Sequence, residues 1–113
     1  MKTIFYVDAD DVLALIPARH PWQAMAWLPI GGFNWCPTPE YQTAFAKHMY
    51  EAYGAEIMSV HDCAINYFLE APLTAKEQVF AAARDLVVMD YDLYQGIDPA
   101  HVYGKQRLYL WWD

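Results

Sequence analysis

Residues 38–54 contain sequence signals for both ends of a helix, and this segment restricts the fold more than any other. Thr38 is a residue type that caps helix N-termini, and Pro39 suits the first helical position because it lacks a backbone N–H. Gly54 can adopt the left-handed conformation that ends a helix. Apolar residues between them recur three and four positions apart, so we predict a helix over residues 39–53. Its predicted buried stripe comprises Tyr41, Ala44, Phe45, His48, Met49 and Ala52.

Most of the other apolar segments predict strands. Alternating or short continuous apolar runs occur at 3–8, 12–17, 22–28, 55–60, 63–70 and 107–112. The pair 55–60 and 63–70 is predicted to form a hairpin. A second helix is predicted from Thr74 to about Val88, since Thr74 and Glu77 have the spacing of a capping box. Its predicted inward residues are Phe80, Ala83 and Val87, and a short helical turn is predicted at Asp98 and Pro99.

The order of these elements indicates the fold class. Two helices are too few to connect all the strands in parallel, because each parallel pair needs a crossover connection. A composition that is 57% hydrophobic and 17% aromatic excludes a disordered chain, and 113 residues suffice for one core. We therefore predict a single domain over 1–113, of α+β class. It has a mainly antiparallel sheet of about five to six strands, with two main helices packed on one face.

The charge of the chain limits its partners. Fourteen Asp and Glu against seven Lys and Arg give a net charge of −7, which repels nucleic acid and anionic membranes and favours a basic protein partner. The N-terminal sequence lacks the features of a signal peptide, and no apolar run reaches the ~18 residues of a membrane span. We therefore predict a cytoplasmic protein, in which Cys36 and Cys63 remain thiols.

The segment IFYVDADDVL resembles the first motif of haloacid-dehalogenase-like phosphatases, in which Asp8 and Asp10 would be the nucleophile and the second acid. Such enzymes also need a lysine and a further acidic pair at the ends of parallel strands. Asp90, Asp92 and Lys76 are the available residues. Lys76 lies in the first turn of a predicted helix, and the intervening region is predicted to be antiparallel. We therefore interpret the segment as an acidic turn and do not expect an enzyme.

Other kinds of site have still weaker support in the sequence. The four histidines have no metal-ligand spacing with one another or with the cysteines, so we predict neither a metal nor a cofactor. His48 is interpreted as a core or boundary histidine. Cys63 lies two residues from His61, but that spacing alone does not make a thiolate nucleophile. Gly31-Gly32 does not precede a helix start, which argues against a phosphate-binding loop.

Four segments carry a resemblance to a known family: GGFNWCPTPE (31–40), YGAEIM (53–58), HDCAINYFLEAPLT (61–74) and LYLWWD (108–113). Together they resemble a bacterial family of uncharacterised domains, the domain of unknown function 4253, in one collinear match from about Asp11 to Asp113. The chain departs from the family pattern at Phe33, where Trp is usual, and in a shorter segment over 96–105. Among the residues that carry the resemblance, we expect a structural role for Gly31, Gly32, Asn34, Pro37, Gly54, Trp111 and Trp112.

The resemblance implies a compact α+β domain and no established activity. Proteins of this type are similar to small acidic proteins that are often encoded beside secreted bacterial toxins, which is an analogy of context. We therefore hypothesise an immunity protein that binds a cognate antibacterial toxin and occludes its active site. The predicted partner-binding residues are the acids Asp8, Asp10, Asp11, Asp90 and Asp92 and the aromatic anchors Trp35, Tyr91 and Tyr94.

Two alternatives remain open at this point. One is an enzyme of unrecognised type that uses Asp62 or Asp113 near His61, which predicts a concave pocket there. The other is a weak homodimer held by exposed aromatic side chains. The adjacent residues Trp111 and Trp112 should face opposite sides of the sheet. One of them is predicted to enter the core and the other to lie on the far face or against a helix.

Overall fold

The computed structural model of the chain describes residues 10, 12–28, 30–31, 36–61, 64–90 and 96–112. The fold is α+β, as predicted. Its elements, in chain order, are a 3-10 turn at Pro21–Gln23, helix α1 (Ala24–Trp27), helix α2 (Pro39–Tyr53), strand β1 (Ala55–Val60), strand β2 (Ala64–Leu69), helix α3 (Lys76–Met89), a 3-10 turn at Pro99–His101 and strand β3 (Arg107–Trp111).

Helix α2 confirms both predicted ends. The Thr38 carbonyl accepts the N–H of Gln42 at 3.0 Å. Gly54 ends the helix in the left-handed conformation with φ +73°, and its N–H donates to the Tyr50 carbonyl at 2.8 Å. Because β1 begins at the next residue, this one glycine both stops the helix and turns the chain into the sheet.

The buried face of α2 differs from the predicted stripe. Phe45 and Met49 are buried as predicted, but Tyr41, Ala44, His48 and Ala52 are exposed, and Gln42 and Ala46 are buried instead. Gln42 Nε2 donates to Cys36 Sγ at 3.4 Å, whereas Gln42 Oε1 has no hydrogen-bond partner among the described residues. The apolar pattern could not show this exchange, because it assigns a glutamine to the surface.

Among the described residues, the sheet contains three antiparallel strands in the order β1-β2-β3, instead of the predicted five to six. The predicted hairpin is confirmed: β1 pairs with β2 from Ala55 opposite Leu69 to Val60 opposite Ile65, with a bulge between Ile57 and Ser59. β2 also pairs with β3, the predicted final strand. β2 is therefore the central strand and has a partner on both sides.

Two of the strands predicted near the N-terminus, residues 12–17 and 22–28, are not strands in the structure, which accounts for part of the difference in strand number. Residues 12–17 belong to no strand, and Leu15 is fully exposed. An isolated apolar run becomes a strand only where a partner strand satisfies its backbone groups. The third predicted strand of this part of the chain, residues 3–8, lies outside the described residues.

Residues 22–28, predicted to be a strand, are mostly helical. Pro21 occupies the first position of the 3-10 turn, and Gln23 Oε1 accepts the backbone N–H groups of Arg19 at 2.8 Å and His20 at 2.9 Å. Gln, Ala and Met are also good helix formers. The apolar alternation over seven residues was therefore misleading, because local capping and propensity both favour a helix.

Helix α3 begins at Lys76 with Ala75 as the N-cap, so the predicted capping box at Thr74 is wrong by one residue. Phe80, which was predicted to face inward, is 46% exposed. Two overlapping apolar stripes share this helix, and tertiary packing selects between them. The buried residues of α3 are Val79, Ala82, Ala83, Leu86 and Met89. The predicted short turn at Asp98 is confirmed, with its carboxylate accepting the Ala100 N–H at 2.9 Å.

One core joins α2 and α3 to the inner face of the sheet. The Phe45 and Tyr67 rings meet edge to face, with 6.1 Å between their centroids. Trp112 is 1% exposed, and its Nε1 donates to the Met89 carbonyl at 2.9 Å, whereas Trp111 is 41% exposed. The prediction that the two tryptophans face opposite sides is confirmed. Among the described residues, every helix is too short or too polar to cross a membrane.

Candidate functional site

Two of the eight predicted partner-binding residues lie within the described part of the chain. Asp10 is exposed. Asp90 is only 5% exposed and follows α3, where its N–H donates to the Leu86 carbonyl at 3.1 Å. Asp90 follows Leu86 by four residues, which places it on the same side of the helix as the buried residues. This spacing could have been recognised in the sequence. Burial removes Asp90 from a contact surface. The remaining six, Asp8, Asp11, Trp35, Tyr91, Asp92 and Tyr94, lie outside the described residues and stay predictions.

The outer face of the sheet, on the side opposite the core, carries exposed and half-buried side chains from all three strands. Alternate residues of each strand point to it. Strand pairing sets Phe68 between Glu56 and Arg107, and Asn66 between Ser59 and Tyr109. We call this surface the open sheet face and define it as Glu56, Ser59 and His61, Ala64, Asn66 and Phe68, and Arg107, Tyr109 and Trp111.

Residues that lie side by side on neighbouring strands form rows across the open sheet face, and the third row includes His61. Ala64 lies opposite Trp111, and the His61 N–H donates to the Ala64 carbonyl at 2.8 Å, which continues the β1–β2 register by one pair. His61 is therefore an exposed member of this surface. Asp62 and Asp113, the carboxylates of the enzyme hypothesis, lie outside the described residues, so no pairing with His61 is established.

Strand β3 provides the side chains of the open sheet face that suit protein contact best. Tyr109 is 54% exposed and Trp111 41%, and Arg107 is exposed on the same side. Tyr, Trp and Arg are the residue types that most often dominate the binding energy of protein interfaces. Their neighbour Asn66 is half-buried and donates from Nδ2 to Ser59 Oγ at 3.0 Å, which fixes the polar centre of the face.

A second group of polar side chains joins α2 to α3. His48 Nε2 lies 2.7 Å from Asp85 Oδ2, and the Tyr53 hydroxyl donates to the same oxygen at 2.5 Å. Partial burial, followed by the hydrogen bond and the negative charge of Asp85, raises the pKa of Tyr53, while Arg84 opposes the change. The sequence did not reveal this group, because Asp85 lies 37 residues from His48.

The His48–Asp85–Tyr53 group resembles part of a general-base arrangement. His48 is half exposed, with 51% of its side chain accessible, and an apolar groove formed by described residues lies elsewhere. That groove is lined by residues of α3 and of the segment 99–103. Within the described ranges, no three His, Cys, Asp or Glu side chains are placed to hold a metal ion. We interpret the group as a connection between the two helices.

Replacing Tyr53 with Phe tests this connection. At pH 7 we expect the free energy of unfolding to fall by about 0.5–1.5 kcal/mol, because the hydrogen bond to Asp85 is lost. The raised pKa of Tyr53 means that its contribution is fully present below pH ~10, the value for an unfolded Tyr, and is lost as pH rises through the folded pKa. The variant should therefore lose less stability than the parent above pH 10, as measured by urea unfolding at several pH values.

Tyr67 provides a matched control for that measurement. It is fully buried, burial raises its pKa, and its hydroxyl has no hydrogen-bond partner among the described residues. Removing an unsatisfied buried hydroxyl is neutral or stabilising, so Tyr67→Phe should not lower stability at pH 7. If Tyr53→Phe is equally harmless at pH 7, the hydrogen bond to Asp85 does not connect the helices energetically.

Comparison with known proteins agrees with the resemblance noted in the sequence. A family model described as Domain of unknown function (DUF4253) matches residues 12–113. No curated protein and no solved structure matches the chain. The family description assigns no activity, so functional inference depends on the residues of this chain.

Proposed function

The chain belongs to the DUF4253 family, and we propose that it is an acidic interaction protein, specifically an immunity protein that binds and neutralises a cognate antibacterial toxin. The observation that carries this proposal is the open sheet face. A row of exposed Arg107, Tyr109 and Trp111 stands on a regular strand, with half-buried Phe68 and Asn66 beside it. This combination is typical of the centre of a protein interface.

The spacing of the aromatic side chains favours a basic partner. Tyr109 and Trp111 are two residues apart on β3 and therefore project about 7 Å apart on the same side. A lysine or arginine of the partner fits between or over the two rings, where cation–π attraction contributes about 0.5–2 kcal/mol. The two rings also supply a large apolar area with few rotatable bonds, so ordering them on binding costs little entropy.

The net charge supports the same class of partner. At −7, the chain attracts a positively charged protein from a distance and accelerates its capture. Toxins that act on nucleic acids or nucleotides need basic clefts, and an acidic protein placed over such a cleft competes with the substrate. Asp8, Asp10, Asp11 and Asp92 remain candidates for that contact, in addition to the open sheet face.

The test uses the product of the gene next to the one that encodes this chain. We expect the purified chain to bind that protein. We also expect cells that express the neighbouring gene to survive when they also express this chain. The double variant Tyr109→Ser, Trp111→Ser should weaken binding by about 100-fold or more, because two central aromatic anchors are lost. Affinity measured by calorimetry should also fall as salt rises, since opposite charges attract less strongly under screening.

Tyr41→Ser is the matched control, because Tyr41 is 68% exposed on α2 and lies outside the open sheet face. It should leave binding and protection unchanged. Circular dichroism and urea unfolding establish that each variant remains folded. Absence of both binding and protection by the parent chain would contradict the immunity function. Equal losses in the control and the double variant would contradict the role of the open sheet face.

A further inference from the structure

The segment before the first turn exposes an unusual amount of apolar surface. We call residues 12–16, Val-Leu-Ala-Leu-Ile, the apolar arm. Val12 is 89% exposed, Leu13 81% and Leu15 fully exposed. Single exposed aliphatic residues are common on proteins, but a contiguous run of them usually marks a contact surface. The arm forms no part of a helix or strand.

An apolar groove of about 400 Å³ lies between the first turns of α3 and the segment that contains the second 3-10 turn. Val79 is at its buried side, and the half-exposed rings of Phe80 and Tyr103 flank it. Lys76 Nζ lies 5.9 Å from the centre of the Phe80 ring. Thr74, Pro99 and Ala100 complete the lining. The groove offers apolar contact and few polar partners, so a branched aliphatic side chain suits it.

The arm and the groove belong to different parts of the molecule. The arm leads into the turn at Pro21–Gln23, which packs on α2 and β1, and Lys47 Nζ of α2 lies 5.5 Å above the Trp22 ring of that turn. The groove belongs to α3 and the turn before β3. In a pair of copies related by a twofold axis, an arm seated in the groove of the other copy is matched by a second, identical contact, so such an exchange closes without a third component.

We propose that the chain self-associates by exchanging apolar arms, with Leu13 and Leu15 of one copy seated in the groove of a second copy. The charge of the chain distinguishes this contact from toxin binding. Two copies of charge −7 repel each other, so salt strengthens their association, whereas salt weakens capture of a basic partner. The inference is independent of the proposed function, and either can fail without the other.

Sedimentation of the full chain over a range of concentrations and salt tests the proposal. The parent should form dimers, more readily at high salt. The arm variant Leu13→Ser, Leu15→Ser and the groove variant Ala100→Arg should each raise the dimer dissociation constant at least tenfold, because both arm–groove contacts are lost. Both changes lie at exposed positions, so the fold is retained. Val88→Ser, at an 81% exposed site on α3 outside the groove, is the matched control and should leave the constant unchanged.

Mixing experiments identify the contact itself. The arm variant keeps its groove and the groove variant keeps its arm, so a mixture of the two should form a heterodimer through one remaining arm–groove contact. A mixture of Leu15→Cys and Ala100→Cys chains should also give a disulfide-linked product that neither chain gives alone. A monomeric parent at every concentration and salt would overturn the proposal. So would a dimer that survives both variants, or failure of both mixtures.

Discussion

Replacing Trp112 with Ala is expected to lower the free energy of unfolding by about 3–5 kcal/mol. The side chain is 1% exposed, and its indole Nε1 donates to the Met89 carbonyl at the end of α3. The substitution therefore removes the largest fully buried side chain among the described residues and leaves the Met89 carbonyl without its donor. Urea unfolding followed by circular dichroism measures the loss directly.

Trp111→Ala is the matched control, because the same residue type at the adjacent position lies 41% exposed on the open sheet face. We expect it to cost less than about 1 kcal/mol. Trp112→Phe keeps an aromatic ring in the core but removes the indole N–H and part of the volume, so its loss should be intermediate. Equal losses for the two Ala variants would show that Trp112 does not occupy the core as described.

The second large effect is expected from Gly31→Ala. Gly31 has φ +125°, and a Cβ at this position would lie 1.7 Å from the Pro37 carbonyl oxygen and 2.8 Å from its carbon. These atoms belong to the backbone, which cannot rotate aside as a flexible side chain can. Steric overlap and an unfavourable φ act together, so we expect a loss of about 3 kcal/mol or more. Thermal and urea unfolding provide the measurement.

Gly54→Ala is the control for backbone conformation alone. Gly54 also has a positive φ, +73°, but a Cβ there would meet no atom within 4 Å. We expect a cost of about 1 kcal/mol, the value for an alanine in the left-handed region. The difference between the two variants reports the close approach of Gly31 to Pro37. Similar costs at both positions would mean that this approach is not maintained in solution.

The parts of the fold that could be predicted from the sequence are those with local signals. Helix α2 is bounded by Thr38 and Gly54, and β3 alternates so regularly that the opposite directions of Trp111 and Trp112 follow from it. The hairpin could also be predicted, because its two strands are close in sequence. In each case the determining interactions lie within a few residues, and the structure agrees.

The parts that could not be predicted depend on contacts between distant residues. Whether residues 12–17 form a strand depends on a partner strand, and the burial of Gln42 depends on Cys36. The same holds for the candidate site. The alternation of β3 predicts which of its residues are exposed. Their placement beside Phe68 and Asn66 could not be predicted, because it depends on the register of strand pairing. The hydrogen bonds from His48 and Tyr53 to Asp85 could not be predicted either, because they depend on how α2 and α3 pack.

Asp85 has a consequence for the binding that we propose at the open sheet face. Because one carboxylate oxygen of Asp85 holds both His48 and Tyr53, two positions on α2 are joined to a single position on α3. The helices in turn support the sheet through the shared core. The surface is thus preorganised: its side chains are positioned before the encounter, and association loses little conformational entropy. Binding should then require no slow rearrangement, and its rate should be set by diffusion and charge.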